Sequence, residues 1–520
     1  MTPPPDPTAD DAPERPAAVA GGGAGPGSLA TMVRNSAIFG AGEVLLKAMT
    51  AVLAPLFTVL LTPAEYGVWG LGTMVQSLLA PLFSLGLHGA VTRFYFDTDD
   101  PAARARFQGT ISTFLLVWGL ALASIVLLLG PVLQPILLPS LPYWPYLPVI
   151  VGSAVLGLAA TVPTATWTAA ERAGRVVLVR TASNAVYLAL AIGLVAVGRI
   201  GVVGVFWARL LAAAVLALPL LLWARRKLPL AWHRPSLVAA LAFSLPLVPH
   251  LLAHWVLALS DRYLLEQLMG TSAVGVYTSA YVFTDAVNLV AVSLNGAFVP
   301  MLNRHLDRPE GRATVERAVS WFLGVVLSMS AAISVLSPTI VRAFFHPRFH
   351  GAADVAAILG AAGALQGLYY IWVGALFFRK TSGRVPLLTM LGGAVNIGLN
   401  LLWIPRWGLA GAAFATAVGY GTLLLGVWAT ARLGGGLPIE RGRAGAWAAT
   451  FAVVITAGAA LEGIGPLPVV AAAKLALLAL AALAVWHLGV LRADDKEVVR
   501  SNFERLRSRL LARTSGRPAP

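Results

Sequence analysis

Glu171-Arg172-Ala173-Gly174-Arg175, followed by a long apolar segment and then Arg199-Ile200-Gly201, returns later in the chain as Arg379-Lys380-Thr381-Ser382-Gly383-Arg384, an apolar segment and Arg406-Trp407-Gly408. Gly174 and Gly383 lie 209 residues apart, Arg199 and Arg406 lie 207 apart, and Gly67 of Tyr66-Gly67-Val68-Trp69 precedes Gly275 of Gly275-Val276-Tyr277 by 208. Three landmarks in one register define two copies of one unit. Paired copies of an apolar unit are a common way for membrane transporters to frame a central site.

The composition says where such a unit lives. The 520 residues are 58% hydrophobic and 12% charged, with mean hydropathy +0.77, too few charges to cover a soluble protein of this size. The apolar surface must face lipid. A net charge of +15 could suggest nucleic acid as a partner, but the 38 Lys and Arg residues are scattered through short loops and form no basic face with interleaved aromatics. No nucleic acid is expected. Cys is absent, which excludes disulfides, thiol catalysis and Cys-ligated metal.

A hydrocarbon core needs about 20 apolar residues per helix, and fourteen stretches qualify: 35–61, 66–91, 107–130, 146–169, 176–198, 201–223, 238–261, 273–299, 316–342, 353–377, 385–404, 408–431, 444–463 and 467–491. The expected fold is an all-α polytopic membrane protein with two six-helix lobes, spans 1–6 and 7–12, and two extra C-terminal spans. Residues 1–33, rich in Pro, Gly, Ala and Asp, read as a disordered cytoplasmic tail. Residues 34–228 form the first lobe, 229–435 the second, 436–491 spans 13 and 14, and 492–520 a basic cytoplasmic tail with apolar residues at helical spacing, suited to the anionic inner leaflet.

The loops orient these spans. With the N-terminus inside, the inner loops carry 20 Lys or Arg, among them Arg93, Arg172, Arg180 and Arg226, and the outer loops carry five: Arg199, Arg262, Arg342, Arg348 and Arg406. That bias places both termini in the cytoplasm. Tyr143, Trp144 and Tyr146 fall in an uncharged outer loop, where amphipathic rings suit the interface.

Several motifs bring a family into view. Phe344-Phe345-His346-Pro347-Arg348-Phe349-His350-Gly351, then Asn396-Ile397-Gly398-Leu399-Asn400, then Gly408-Leu409-Ala410-Gly411, resemble the second half of Wzx-type polysaccharide flippases. Leu61-Thr62-Pro63-Ala64-Glu65-Tyr66-Gly67 is similar to that family's first outer turn, and Ser260-Asp261-Arg262-Tyr263 with Val274-Gly275-Val276-Tyr277 to the start of its eighth helix. The resemblance covers roughly residues 33–435. It implies the fold of the multidrug/oligosaccharidyl-lipid/polysaccharide exporter superfamily, two lobes around a V-shaped cavity that opens alternately to each side. It also implies movement of an undecaprenyl-diphosphate-linked oligosaccharide across the bacterial inner membrane, with membrane lipids, a glycan polymerase and export machinery as partners. Two phosphates and a glycan cannot cross hydrocarbon unaided, whereas a polyprenyl chain can stay in lipid, so a wet cationic cleft is all the protein must supply. No catalytic centre, cofactor or metal is expected, because the chain has no phosphate-binding loop and no His-Glu-x-x-His. Three alternatives remain open: a drug/cation antiporter or a lipid II flippase of the same superfamily, and a membrane glycan polymerase, which ordinarily needs a large outer catalytic loop.

Ionisable groups at bilayer depth cost several kcal/mol and are usually functional or paired. Glu43 and Lys47 stand one turn apart on span 1 in the favourable order, Lys47 to meet diphosphate and Glu43 to set its charge. Arg209 sits about 10 Å inside span 6 at 1.5 Å per residue, a further substrate-binding cation. Asp285, near the middle of span 8, and His250 with His254, one turn apart on span 7, are candidates for ion or proton coupling. Asp261 and Arg262 read as a structural interfacial pair, and Lys474, outside the repeated core, as a snorkelling lysine.

Reporter fusions after His233 and after Ser515 should therefore report the same, cytoplasmic, side. Opposite sides would overturn the fourteen-span topology.

Overall fold

The computed structural model describes residues 53–487 continuously, with residues 38, 40, 42, 44–46 and 49 before them and 489–497, 500, 501 and 504 after them. All regular structure among these residues is helical. The described part of α1 includes residues 53–60. Thr62 then starts α2 (Pro63–Ser84) with a capping box: its hydroxyl accepts from Glu65 N while Glu65 accepts from Thr62 N, which satisfies two orphan amides at once. Leu85 and Gly86, both at positive φ, turn the chain into α3 (Leu87–Phe94), bent 43° from α2, so the pair forms one broken span.

Next come α4 (Pro101–Leu137), α5 (Tyr146–Gly157), α6 (Thr161–Ala169), α7 (Ala173–Ile192) and α8 (Gly201–Lys227), which complete the first lobe. The second follows with α9 (Arg234–Ser244), α10 (Val248–Met269), α11 (Thr271–His305), α12 (Arg312–Phe344), α13 (Ala352–Phe378) and α14 (Val385–Leu433). Pro246 lies in the tight turn Leu245–Leu247 that breaks α9 from α10, as expected of a proline that cannot continue the hydrogen-bond ladder. In α14 the two expected spans run on as 49 helical residues interrupted at Gly408, whose φ of 57° and ψ of −133° leave the helix. Finally α15 (Arg441–Ala460) and α16 (Leu467–His487) pack on α12. Among the described residues eleven helices are long and apolar enough to cross a membrane, twelve with the α2/α3 pair, and the break in α14 makes that helix long enough for two crossings. Fourteen spans are compatible with this arrangement.

The repeated Gly-Arg landmarks have a physical cause. Each marks the same helix stop: Glu171 and Lys380, again 209 residues apart, both take φ of 56°. Arg172 N donates to Trp167 O and Thr381 N to Leu376 O, the long bond of a Schellman cap, in both copies. The second pair, Gly201 and Gly408, sits at φ of 60° and 57° and opens the following helical segment in each copy.

The third pair builds the contact between the lobes. Gly67 of α2 and Gly275 of α11 face one another so closely that a Cβ on Gly67 would lie 2.0 Å from Thr271 O, and one on Gly275 would lie 1.9 Å from Pro63 O. Each glycine thus meets the backbone four residues before its counterpart, the reciprocity of a two-fold relation. Around this crossing Trp255 Nε1 donates to Met74 O at 3.0 Å, Glu266 accepts from Ser140 N at 3.0 Å, and Tyr66 packs edge-on to Phe349. The core cluster that holds Phe57, Leu71 and Leu147 continues without interruption into Tyr277, Val355 and Ile404 of the second lobe. This end of the bundle, opposite the basic loops, is closed.

Lys474 departs from expectation. Its ammonium does not snorkel into water but is fully buried, bonded to Thr339 of α12 at 3.1 Å and paired with Glu462, which also binds Arg342. Beyond α16, Asp495 accepts from Arg317 and Trp321; burial raises its affinity for a proton, but these two bonds hold the carboxyl below its ordinary range. Both contacts fasten the appended helices to α12. The apolar tail residues after Asp495 lie outside the described residues.

Gly275→Ala should destabilise the purified protein by about 1–3 kcal/mol, because an inserted methyl in a full contact forces the backbones apart. Gly398→Ala, where a Cβ meets open space, should not. Equal unfolding temperatures for the two variants would refute the close crossing.

Candidate functional site: the cavity between the lobes

Closure at one end leaves a cavity of about 1010 Å³ toward the other, lined by both lobes. Small residues clear the space. Ala208 and Ala212 of α8 are buried on either side of Arg209, whose guanidinium reaches the cavity and lies 4.6 Å over the Tyr187 ring of α7, a contact that stabilises a cation without neutralising it. Across from it, α11 presents Asp285. Arg180 and Asn184 of α7, Gln76 of α2 and a polar stripe on α2 and α3, Ser84, His88 and Thr92, complete the hydrophilic lining. The last three residues, near Arg93, carry the cavity toward the basic loops.

A second chamber of about 670 Å³ shares Ser84, His88, Arg209, Val282 and Asp285 with the first and extends to Trp69, His254, Arg262, Asn288 and Gln366. The two are one continuous space. Among the described residues it is lined by three arginines, Arg180, Arg209 and Arg262, and one carboxylate, Asp285.

Arg262 belongs at the same time to a buried network. Asp261 and Arg262 are 1% and 4% exposed; Asp261 Oδ1 accepts from Arg262 N at 2.8 Å and Nη1 at 3.1 Å. Tyr277 donates to Asp261 Oδ2 at 2.7 Å, Thr416 lies beside it, and Asn396 links Thr416 with Ser260 and Asn400. The Arg262 guanidinium lies 4.3 Å over Tyr281, which bonds Tyr420. Helices α10, α11 and α14 are thereby tied by one polar cluster. Asp261 with Arg262 is a structural pair, as the sequence suggested, yet the arginine also lines the chamber that Asp285 borders.

Of the residues singled out in the sequence, Arg209, Asp285 and His254 converge on this space. His250 does not line it; its Nδ1 is buried without a hydrogen-bond partner among the described residues. Glu43 and Lys47 lie outside the described residues; Val44 and Leu46, which are described, line the cavity. Arg180, Arg262 and His88 were not foreseen as lining residues. The first two were counted as loop charges, but the i, i+4 spacing of His88 and Thr92 does put two polar groups on one face of α3. Among the described residues no group of three or more His, Asp or Glu side chains is gathered for a metal ion.

Comparison with known proteins places this geometry. A family described as "Polysaccharide biosynthesis protein" matches residues 56–354. An uncharacterized membrane protein of Methanocaldococcus jannaschii is 24% identical over 174 residues, covering 32% of this chain and a third of that protein's length. Among solved structures, the lipid II flippase MurJ in an inward closed conformation superposes with a TM-score of 0.60 at 12% identity, over 89% of this chain and 99% of that one. An inward-facing multidrug resistance transporter of the MATE family gives 0.58 at 15%, over 81% and 99%. A transporter from Pyrococcus furiosus, described by the reverse polarity of its binding pocket, gives 0.55 at 16%, over 78% and 95%. These are flippases and transporters, not enzymes, and at such identities the likeness is one of fold.

Removing Asp261 strands a buried arginine, so Asp261→Ala should lose about 3–5 kcal/mol of stability. Asp261→Asn, which still accepts from Tyr277, should lose less. Unfolding temperatures of both variants equal to the wild type would show that the cluster does not hold the second lobe.

Proposed function

Because the chain belongs to the polysaccharide biosynthesis protein family, we propose that it carries an undecaprenyl-diphosphate-linked oligosaccharide from the inner to the outer leaflet of the bacterial plasma membrane. Membership and fold make it a membrane flippase or transporter; the substrate and the mechanism are our reading. Residues 34–228 rock against residues 229–435, parting and re-forming the Gly67/Gly275 contact, with both termini in the cytoplasm.

The observation that carries this reading is the charge of the cavity. Among the described residues Arg180, Arg209 and Arg262 line it beside one carboxylate, Asp285; Arg262 is already paired with Asp261, and Arg209, set over the Tyr187 ring, is a cation at a depth where charge is costly, a lining that suits an anion better than a cationic drug. Arg209 is the central recognition group. Its planar fork matches phosphate oxygens two at a time, and Tyr187 holds it aimed into the cavity. Arg180, nearer the basic loops, offers the first contact, and Lys47 with Glu43 contributes to the same recognition. The polyprenyl chain stays in lipid at the side of the cleft, so no group need be hydrolysed and no cofactor bound. Asp285, with His254 beside the same space, supplies the titratable group that couples rocking to an ion or proton.

In proteoliposomes carrying an undecaprenyl-diphosphate-linked glycan, Arg209→Lys should slow transport by about tenfold or more, since a charge-assisted pair contributes about 1.5–3 kcal/mol. Transport equal to the wild type would remove Arg209 from the binding role. Asp285→Asn keeps the shape and removes the titratable charge, so it should leave expression intact and reduce transport. Full activity at every pH tested would exclude it as the coupling group.

A further inference from the structure

Along α11 the amides Asn288, Asn295 and Asn303 recur at seven and eight residues, one helical face. On α13, Gln366, Tyr370, Val373 and Phe377, spaced four, three and four residues apart, also share one face. The first members, Asn288 and Gln366, line the central cavity; the later ones line a separate groove of about 550 Å³ that continues along the same two faces toward the basic loops. Tyr369 and Tyr370 stand edge to face there, ring centroids 5.5 Å apart, and Tyr370 donates to Asn288 at 3.2 Å. Asn295 lines the groove, and its Oδ1, buried at the wall, has no hydrogen-bond partner among the described residues, so a small rotation of the amide would offer it to a donor in the groove. Lys380 stands at its mouth.

We propose that this groove is a saccharide subsite, separate from the arginines that meet the phosphates. The proposal rests on the reading of the chain as a carrier of a glycan-bearing lipid, and it assigns the two parts of that substrate to different lobes: diphosphate to Arg180 and Arg209 of the first, sugar to the α11/α13 groove of the second. Pyranose rings offer apolar C–H faces that stack on aromatic rings and hydroxyls that both donate and accept. Aromatic side chains beside amides, each with donors and acceptors, are the complement of such a ligand. A lipid tail is excluded as the occupant by contrast within this molecule. The groove between α12, α15 and α16 is lined by Val325, Leu327, Ala331, Val454 and Leu478, as an acyl chain requires, whereas the α11/α13 groove places two amides, Asn295 and Asn303, and the Lys380 ammonium where such a chain would leave them unsatisfied.

The test uses the full chain in detergent, with a printed array of bacterial surface saccharides as one probe and inorganic pyrophosphate as the other. The wild type should bind both. Tyr370→Leu and Asn295→Leu should weaken saccharide binding at least tenfold while retaining pyrophosphate, and Arg209→Ala should do the reverse. Because the chain has no cysteine, Asn303→Cys provides a second readout at an exposed position: the bound saccharide should protect that single thiol from a maleimide. Saccharide binding that survives both groove substitutions, or a thiol that the saccharide fails to protect, overturns the subsite. A wild type that binds pyrophosphate but no saccharide also overturns it while leaving the diphosphate reading standing; binding of neither removes both.

Discussion

Two helices touch backbone to backbone where α2 crosses α11, and the form of the cavity depends on that contact. In lipid there is little hydrophobic drive to bring helices together, so close approach relies on small residues and direct packing. Gly67 and Gly275 provide it reciprocally, each with the other's helix where its own Cβ would be. Because the contact sits near the N-terminal ends of both helices, it seals one end of the bundle and lets the helices diverge toward the other. The arginines then line a space open on the side of the basic loops.

Charge and packing divide the work. The sealed end is packed apolar surface stitched by polar bonds such as that from Ser140 N to Glu266, while the diverging half opens arginine, histidine, amide and hydroxyl groups to the cavity. The Asp261–Arg262–Tyr277 cluster stiffens the second lobe, so motion between lobes need not disturb packing within one. A rigid lobe closed on its partner by a small contact is what rocking requires, since packed interfaces switch between discrete arrangements and do not deform smoothly.

The two-copy architecture was legible because its landmarks are backbone devices. The Schellman caps at Glu171 and Lys380 and the turns at Gly201 and Gly408 demand special φ values and therefore leave a sequence trace. Arg209 and Asp285 were legible for another reason: a charge at mid-membrane is too costly to be incidental. Arg262 and Arg180 escaped because a charge near a helix end looks like ordinary topology until tertiary packing turns it inward. Lys474 misled in the opposite direction; its partners Thr339 and Glu462 are 135 and 12 residues away, and only the docking of α16 on α12 brings them together. His250 shares a helical face with His254, yet that face is wider than the cavity it borders.

The claim on which the account turns is that the α2/α11 end must open for transport. A Cβ built on Gly70 lies 3.3 Å from Thr278 Cβ, near the 3.5–4.5 Å typical of a disulfide. The double variant Gly70→Cys/Thr278→Cys, in a chain otherwise free of cysteine, can therefore be locked by oxidation. Glycan-lipid transport by this variant in proteoliposomes should stop when the disulfide forms and return when it is reduced. Undiminished transport by the fully cross-linked protein would contradict the account.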